Sequence, residues 1–513
     1  EVISPDLTRN DPETIKSSGG PITQDNTGAE FYANIFAMSE STLEPGVIWV
    51  GSDDGLVHVT RDGGKDWENV TPKGSPKFNM MNCIDVHPFK KGSAYLAATS
   101  YKFGDYTPYL YKTDDYGKSW KLITNGIPKQ YYTRAIRADH EREGLLYAGT
   151  EWGMFVSWDD GANWQSLQLN LPVTAIRDLH VKDNMLIAAT HGRSFWMIDD
   201  LGPLQQLNEE ISKKDYHLFS PKPAYRMAQG GWGSRDKRLE GENHTDGVFF
   251  NYFIKNEDPE QTVELRIEEV DGELIRSYSN KTKNKDDQLK INGRFDWDMR
   301  YEGFKEFDGM VLYSSPNRGP KAVPGTYHAL LIVGQDTVQQ EFEIKKDPRL
   351  DNTANDFQKQ FDYLIDVRDK VSEAHQAIID IREIKRDIAY YKGKFEDKEG
   401  SEELISKLDK FKEELEVVEN NIHMTKNQSR QDPLNYGIRI NNRLAFLLAD
   451  QQRGDYPPTD QAVAFKEEVS VELNDEFDQL DKIIRKGINE VNSIGSSYGV
   501  KIISDRLNKI TRP

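Results

Sequence analysis

Short apolar segments alternate with turn-forming residues over the first 200 positions, and they fall into four units of the same pattern. Each unit begins with a mostly apolar segment, continues with a second that ends on a small residue, and adds a third after a short connection. Enrichment in β-branched and aromatic residues between regular turns predicts strands. The predicted strands are 31–38, 47–51 and 56–60; 80–86, 94–98 and 109–113; 132–138, 145–149 and 154–157; and 173–181, 185–190 and 194–198.

One eight-residue phrase, Ser/Thr-x-Asp-x-Gly-x-x-Trp, follows the third strand of the first three units. Its copies begin roughly 50 residues apart, about the length of one β-propeller blade. The Asp accepts bonds from backbone amides in a tight turn, the Gly allows a positive φ, and the Trp fills an apolar gap. The phrase therefore predicts four-stranded blades rather than catalysis. Its residues are Thr60, Asp62, Gly64 and Trp67; Thr113, Asp115, Gly117 and Trp120; and Ser157, Asp159, Gly161 and Trp164.

These blades are expected to form only part of a ring. Residues 1–30 read as the last strand of a preceding blade and a connector, and residues 31–206 as four blades. An open blade edge is a feature that natural proteins avoid. We therefore expect a missing N-terminal propeller half, or another chain, to complete the propeller.

The pattern changes twice after the blades. Residues 207–350 show period-two strands with turns at Asp271-Gly272 and Pro324-Gly325, which predict an immunoglobulin- or fibronectin-like β-sandwich. Residues 351–513 carry apolar positions spaced by threes and fours, in four segments separated by short breaks. This spacing predicts an antiparallel helical bundle, with a dimeric coiled coil as the alternative. The chain is thus expected to be multidomain, mainly β and then α.

Composition narrows the possible partners. The net charge of −19 disfavours binding to nucleic acid, whose phosphates would be repelled. Cys83 is the only cysteine, so neither an internal disulfide nor a Cys-rich metal site is expected. No apolar run approaches the ~18 residues of a membrane span. Motifs for a cofactor or metal are not apparent, so neither is expected.

Several phrases resemble one large bacterial family, the sortilin/VPS10-like proteins with Asp-box (BNR) repeats, often labelled glycosyl hydrolases. They include Ile3–Arg9, Ile48–Val57, Leu146–Glu151 and Thr190–Trp196. The resemblance covers nearly the whole chain and implies an exported protein, periplasmic or on the cell surface. Family members carry a long N-terminal propeller half, and this chain resembles their C-terminal half. The hydrolase label rests largely on the Asp boxes.

Aligning the blades places polar and aromatic residues on one rim. The link between second and third strands occupies the same rim in every blade, opposite the Asp boxes. Alternative interpretations are a type I′ turn at Asp53-Asp54-Gly55 and a structural turn at His191-Gly-Arg193. The candidate ligand-binding residues are Asp53, Asp54, Tyr101, Asp105, Tyr106, Glu151, Trp152, His191 and Arg193.

Two functions are compatible with this rim. The first is an exported, non-catalytic binding or scaffold protein that recognises a polypeptide or glycan within a cell-envelope complex. The alternative is a sialidase-like glycoside hydrolase using rim carboxylates, since such chemistry needs two carboxyl groups about 5–10 Å apart. Arg134, Arg137, Arg177 and Arg193 would supply its cationic patch.

Overall fold

The computed structural model describes residues 2–16, 19–20, 22, 32–227, 246–283 and 287–498. It divides into two compact units, Glu1–Ser212 and Lys213–Pro513. Residues 1, 17–18, 21 and 23–30 of the predicted strand and connector lie outside the described residues, as do Phe31 at the start of the first predicted blade and residues 499–513 of the predicted bundle.

The first unit contains four antiparallel sheets in chain order, and each is a simple meander. The predicted strands are confirmed to within a few residues, whereas the fourth strands of sheets 1 to 3 have only two residues each and sheet 4 has three strands among the described residues. Sheet 1 is β1 Ile35–Glu40, β2 Ile48–Ser52, β3 Val57–Thr60 and β4 Glu68–Asn69; sheet 2 is β5 Met80–Val86, β6 Ala94–Ser100, β7 Asp105–Thr113 and β8 Lys121–Leu122; sheet 3 is β9 Thr133–Ala138, β10 Leu146–Thr150, β11 Gly153–Ser157 and β12 Gln165–Ser166; sheet 4 is β13 Ile176–Lys182, β14 Met185–Thr190 and β15 Phe195–Ile198.

The sheets stack through their first strands, as blades do in a propeller. β1 packs against β5, β5 against β9 and β9 against β13. Large side chains between neighbouring sheets, such as Trp49, Tyr95 and Tyr147, are fully buried. Apolar side chains also remain exposed on the first and last sheets: Ile35, Phe36 and Met38 on β1, and Phe195 and Met197 on β15.

One loop is shorter than the sequence predicted. The predicted strands leave residues 99–108 as this link, but β6 extends to Ser100, and β7 begins at Asp105 and pairs there with Ser100. A single 3₁₀ turn, Tyr101–Phe103, closes the hairpin. Gly104 ends this turn at φ +75°, a conformation that glycine adopts without strain.

The second unit begins with two sheets around one core. The three-stranded sheet has the order β16-β18-β21 and the five-stranded sheet β17-β23-β22-β19-β20, with β17 parallel to β23. Phe250, Trp297, Tyr327 and Phe342 lie in their shared core. The immunoglobulin- or fibronectin-like topology stays a prediction. The strands are β16 Tyr216–Leu218, β17 Ala224–Arg226, β18 Val248–Ile254, β19 Val263–Glu269, β20 Leu274–Ser279, β21 Gly293–Trp297, β22 Gly325–Val333 and β23 Asp336–Lys346.

The four long C-terminal helices are confirmed. Thr459 caps the last of them by accepting a bond from the Ala462 amide. The ion pairs Lys392–Asp409 and Arg382–Glu419 show that the first two long helices are antiparallel. The helices are α1 Gly202–Gln206, α2 Glu209–Lys213, α3 Ala354–Phe395, α4 Glu402–Ile422, α5 Pro433–Tyr436, α6 Ile440–Asp450 and α7 Asp460–Gly495.

Helices and sheets of the second unit are joined by polar as well as apolar contacts. Tyr301 packs against Phe361 of α3, with ring centroids 4.8 Å apart. Arg226 on β17, which is buried, forms an ion pair with Asp455 between α6 and α7. Within the described part of the chain, no helix combines the length and apolar character needed to cross a membrane.

Candidate functional site

Backbone hydrogen bonds define the two ends of the stacked sheets. At one end, called the rim here, the link between the second and third strands of sheets 1, 3 and 4 bonds to the chain just before the first strand of the same sheet. At the opposite end, each Asp-box turn bonds to a β1–β2-type link. The rim bonds run from Asp53 N to Asn34 O, Glu151 N to Tyr132 O and His191 N to Ala175 O. The opposite bonds run from Gly63 N to Gly46 O, Tyr116 N to Gly92 O and Asp160 N to Gly144 O.

The third Asp box shows how these turns are built. The Ser157 hydroxyl donates to Asp159 and accepts from the Gly161 amide at 2.9 Å. The Trp164 indole crosses to the preceding sheet and donates to the Ile123 carbonyl at 2.7 Å. These bonds close and anchor the turn within the protein.

The same bonds recur in the other two boxes. Trp120 donates to the Val70 carbonyl at 2.7 Å, and Trp67 donates to the Ile3 carbonyl at 3.0 Å. Ile3 thus lies, relative to its box, where Val70 and Ile123 lie relative to theirs. The segment around Ile3 occupies the position of a sheet edge that precedes sheet 1.

Asp53 and Asp54 are buried on the rim and bonded to backbone. The Asp53 carboxylate accepts from the amides of Ala33 and Asn34 at 3.0 and 2.9 Å. The Asp54 carboxylate accepts from the Arg9 amide at 2.7 Å and from the Ser52 hydroxyl. Gly55 alone has a positive φ in this turn, so the turn is not type I′. Both carboxylates hold neighbouring chain in place.

The second rim link places a stack of aromatic rings beside a buried arginine. Tyr101 stacks on Tyr132 at 5.2 Å between ring centroids, and Tyr106 lies 5.9 Å from Tyr132. The Arg134 guanidinium lies 4.9 Å from the Tyr101 and Tyr132 rings and bonds to Glu151 at 2.7 Å. This contact joins three predicted residues, Tyr101, Tyr106 and Glu151, across sheets 2 and 3.

Aromatic side chains continue on both sides of this stack. Phe103 stacks on Phe78 at 5.9 Å between centroids, on the side of sheet 1. Trp152 lies 6.5 Å from Tyr131, on the side of sheet 3. Phe103, Tyr106 and Trp152 are 58%, 51% and 49% exposed, which is unusual for side chains of this size.

Asp105 is bonded at the base of the second link. Its carboxylate accepts from the Tyr109 hydroxyl at 2.7 Å and the Thr107 amide at 3.0 Å. Partial burial opposes ionisation, but these two donors outweigh it and lower the pKa of Asp105. Burial, followed by the contact with this carboxylate, raises the pKa of Tyr109 to about 12. The pair is therefore a stable charged hydrogen bond at neutral pH.

His191 and Arg193 lie on the rim of sheet 4, apart from the aromatic contacts above. The Arg177 Nε donates to His191 Nδ1 at 2.9 Å, so the imidazole acts as an acceptor. The Arg193 amide donates to Thr190 Oγ1, and its carbonyl accepts from the Trp196 indole. His191, Arg193 and Arg177 are exposed.

Sequence reasoning missed the rim residues that precede the first strands. Tyr32, Phe78, Tyr131 and Tyr132 all contribute contacts to this surface. The alignment considered only the links between second and third strands. In an antiparallel four-stranded meander, the chain entering the first strand lies at the same end as that link. Aromatic residues just before the first strands are the sequence signal that would have identified this part of the rim.

Among the described residues, no group of three or more His, Cys, Asp or Glu side chains is arranged to hold a metal ion. The polar chemistry of the rim is instead that of paired carboxylates, phenols and guanidinium groups.

Comparisons with known proteins find similar solved structures but do not assign the chain to a family. No protein-family model matches the chain, and no curated protein matches it. Among solved structures, YCF48 from Cyanidioschyzon merolae is 19% identical over 32% of this chain and 53% of that one, with a TM-score of 0.25. YCF48 bound to D1 peptide is 15% identical over 60% and 80%, with a TM-score of 0.27. The GH74 xyloglucanase from Xanthomonas campestris is 12% identical over 60% and 45%, with a TM-score of 0.27. The chain spans about half the length of the first of these structures, and the sortilin-type resemblance stays a prediction.

Proposed function

We propose that this chain is a non-catalytic binding protein whose rim recognises a polypeptide. The observation that carries the proposal is the exposure of Phe103, Tyr106 and Trp152 on one continuous rim. Large aromatic side chains are enriched at protein interfaces, where they bury area at little cost in side-chain entropy. Exposed aromatic residues that are grouped on one surface mark interaction sites.

The bonding of the rim carboxylates argues against hydrolysis. A glycosidase needs one carboxyl group poised as an acid and a second as base or nucleophile, both facing the substrate. Asp53 and Asp54 are buried against backbone amides. Asp105 is bonded to Tyr109, and Glu151 to Arg134. Each of these groups would have to break an internal bond before it could act.

The same bonding favours a polypeptide over a glycan. Sugar hydroxyl groups require many exposed acceptors and donors, since burying an unsatisfied polar group costs about 1–3 kcal/mol. The rim offers aromatic faces, while its carboxylates already accept bonds within the protein. Apolar or aromatic side chains of a peptide match this surface better.

The proposal includes a larger assembly at the cell envelope. Apolar side chains of β1 and β15 are exposed at the two ends of the sheet series. Ile3 occupies the position of a preceding sheet edge beside Trp67. Further blades, from a preceding segment or another chain, would cover both faces and complete the ring.

Binding to peptide and glycan arrays tests the proposal. The full chain is compared with the double variant Tyr106→Ala/Trp152→Ala and with the control Phe89→Ala. Phe89 is 43% exposed but lies on the link between β5 and β6, at the Asp-box end. We expect peptide binding that the double variant loses and the control keeps. Binding to glycans alone, or peptide binding unaffected by the double variant, would contradict the proposal.

A further inference from the structure

A segment of the second unit without regular secondary structure, residues 302–308, lies along α3 and is called the strap here. The Lys305 amide donates to Ser372 Oγ at 3.1 Å, and the His375 Nδ1 group donates to the Lys305 carbonyl. Farther along, Arg382 donates to the Asp308 carbonyl at 2.6 Å. Side chains of the helix thus bond the backbone of this segment.

Two aromatic side chains anchor the strap. Phe304 and Phe307 are buried, and both belong to the apolar core formed by the long helices. Phe307 lies edge-on to His375 and His423, with ring centroids 4.9 Å apart in each case. The strap therefore binds this surface by inserting aromatic residues and offering carbonyl oxygens.

A groove lies along the same helix, and the strap residues Glu306, Phe307 and Asp308 form part of its lining. It has a volume of about 660 Å³, within the range of ligand pockets. Phe307, Ile379 and Ala389 supply the apolar part of its lining, and Ile379 and Ala389 on α3 are called its floor here. The residues that hold the strap and those that line the groove form one stripe with alternating spacings of four and three. This stripe is Arg368, Ser372, His375, Ile379, Arg382, Arg386 and Ala389.

The charges at the groove differ between its inner and outer parts. Arg382 and Lys385 bond at 2.7 and 2.9 Å to Glu419, which is buried beneath them. Arg386, whose side chain is 74% exposed, is 3.7 Å from Glu383, and Lys412 is 3.7 Å from Glu416. The inner cations are therefore held by the protein, while the outer pair is loosely held and faces the solvent. Such a pair attracts a carboxylate.

From this continuity we propose that the groove binds an extended segment of a partner polypeptide that carries an aromatic residue followed by an acidic one. The aromatic side chain lies on Ile379 and Ala389, next to Phe307. The carboxylate reaches Arg386 and Lys412. The partner segment thus binds along α3 in the same way as the strap does.

Ala389→Arg and Ser406→Arg provide a matched pair of variants. Both positions are exposed and helical, and both receive the same side chain. Ala389 lies on the groove floor, whereas Ser406 lies on α4 outside the groove lining. Circular dichroism and thermal unfolding are used to verify that both variants fold as the parent chain does.

The probe is a random dodecapeptide library displayed on phage and selected on the full chain carrying Tyr106→Ala/Trp152→Ala. Using this parent separates the groove from the rim, so either proposal can fail alone. We expect aromatic–acidic peptides whose Kd, from fluorescence anisotropy, rises at least tenfold with Ala389→Arg and less than twofold with Ser406→Arg.

Three results would overturn the proposal. They are a selection without enriched peptides, enriched peptides that bind Ala389→Arg as tightly as the parent, and enriched peptides that lack the acidic residue and ignore Arg386→Glu. Sedimentation velocity distinguishes a second copy as occupant. A parent dimer that Ala389→Arg dissociates would replace the partner polypeptide with self-association.

Discussion

The indole nitrogen of Trp164 lies 2.7 Å from the carbonyl oxygen of Ile123, and this bond ties the third Asp box to the outer edge of the neighbouring sheet. Trp164 is buried, and so is Ile123. The second and third boxes thus connect sheets 2 and 3 to the sheet before each, and the first box connects sheet 1 to the segment around Ile3. Their role in the molecule is to hold the sheets together at the end away from the rim.

Loss of this bond is expected to destabilise the first unit. Trp164→Phe keeps an aromatic ring but leaves the Ile123 carbonyl without its donor, at a cost of about 1–3 kcal/mol in unfolding free energy. Trp67→Phe is the comparison, because Trp67 makes the equivalent bond but is only half-buried, so water replaces the donor. Urea denaturation should rank Trp164→Phe as the more damaging change. Equal losses of unfolding free energy would show that burial does not increase the contribution of this bond.

Substitutions at two glycines of the box turns, Gly161 and the variable-position Gly63 that precedes Gly64, distinguish the cost of backbone strain from that of packing. Gly161 has φ +81°, and an added Cβ would lie 2.6 Å from Ile123 Cδ1. Gly63 has φ +75° with nothing within 4 Å of such a Cβ. Gly63→Ala is expected to cost about 1–2 kcal/mol for the left-handed conformation alone. Gly161→Ala should cost about 1–3 kcal/mol more because of overpacking.

Thermal and urea unfolding of the two glycine variants measure this difference. A Gly161→Ala variant as stable as Gly63→Ala would mean that Ile123 moves aside without loss. The neighbouring sheets would then be less tightly packed than the structure indicates.

Local patterns were enough to predict the strands and the helices. Strands such as Met80–Val86 and the cap at Thr459 depend on residues close in sequence, which alternation and capping rules describe. The rim needed more than this. Tyr101 and Tyr132 stack although they belong to different sheets, and no periodicity in the sequence predicts that contact.

Long-range polar contacts were also beyond sequence reasoning. Arg226 pairs with Asp455 at 2.8 Å although the two lie in a strand and a helix connection far apart in the chain. The carboxylates of Asp53 and Asp54 look available in the sequence. Only the fold reveals that backbone amides of Ala33, Asn34 and Arg9 occupy them.

Removal of one partner of the Arg226–Asp455 pair should destabilise the second unit strongly. Arg226 is 3% exposed, so Asp455→Ala leaves a buried guanidinium without its carboxylate, at about 3–5 kcal/mol. The double variant Arg226→Met/Asp455→Leu removes both charges and should lose much less. Denaturation of the two variants provides the measurement. A double variant no more stable than Asp455→Ala would contradict this account.

Acid is expected to destabilise the second unit through two buried histidines. Burial lowers the pKa of His375 to about 4, and burial together with the nearby Arg382 and His375 lowers the pKa of His423 to about 4. Asn441 Nδ2 lies 3.1 Å from one ring and 3.2 Å from the other, a geometry in which neutral rings accept. An unfolded histidine takes up its proton near pH 6.5.

The direction of the pH effect follows from these values. Each buried neutral histidine contributes fully to the free energy of unfolding above pH 6.5. This contribution, roughly 3 kcal/mol per residue, is lost as the pH falls from 6.5 to 4. Urea denaturation at pH 7.5 and 4.5 should show a steeper loss in the parent than in His375→Gln/His423→Gln. Parallel losses in the two proteins would contradict the assignment.

The central claim is that the exposed aromatic residues of the rim bind a polypeptide. The most direct test is the Kd of a peptide selected on the full chain, measured by fluorescence anisotropy for the parent, Trp152→Ala, Tyr106→Ala and Phe89→Ala. Each rim substitution removes an exposed aromatic contact and should cost about 1–2 kcal/mol, or roughly five- to thirtyfold in Kd. Phe89→Ala should stay within twofold of the parent. Equal affinities for the parent and both rim variants would contradict the claim that this rim is the binding surface.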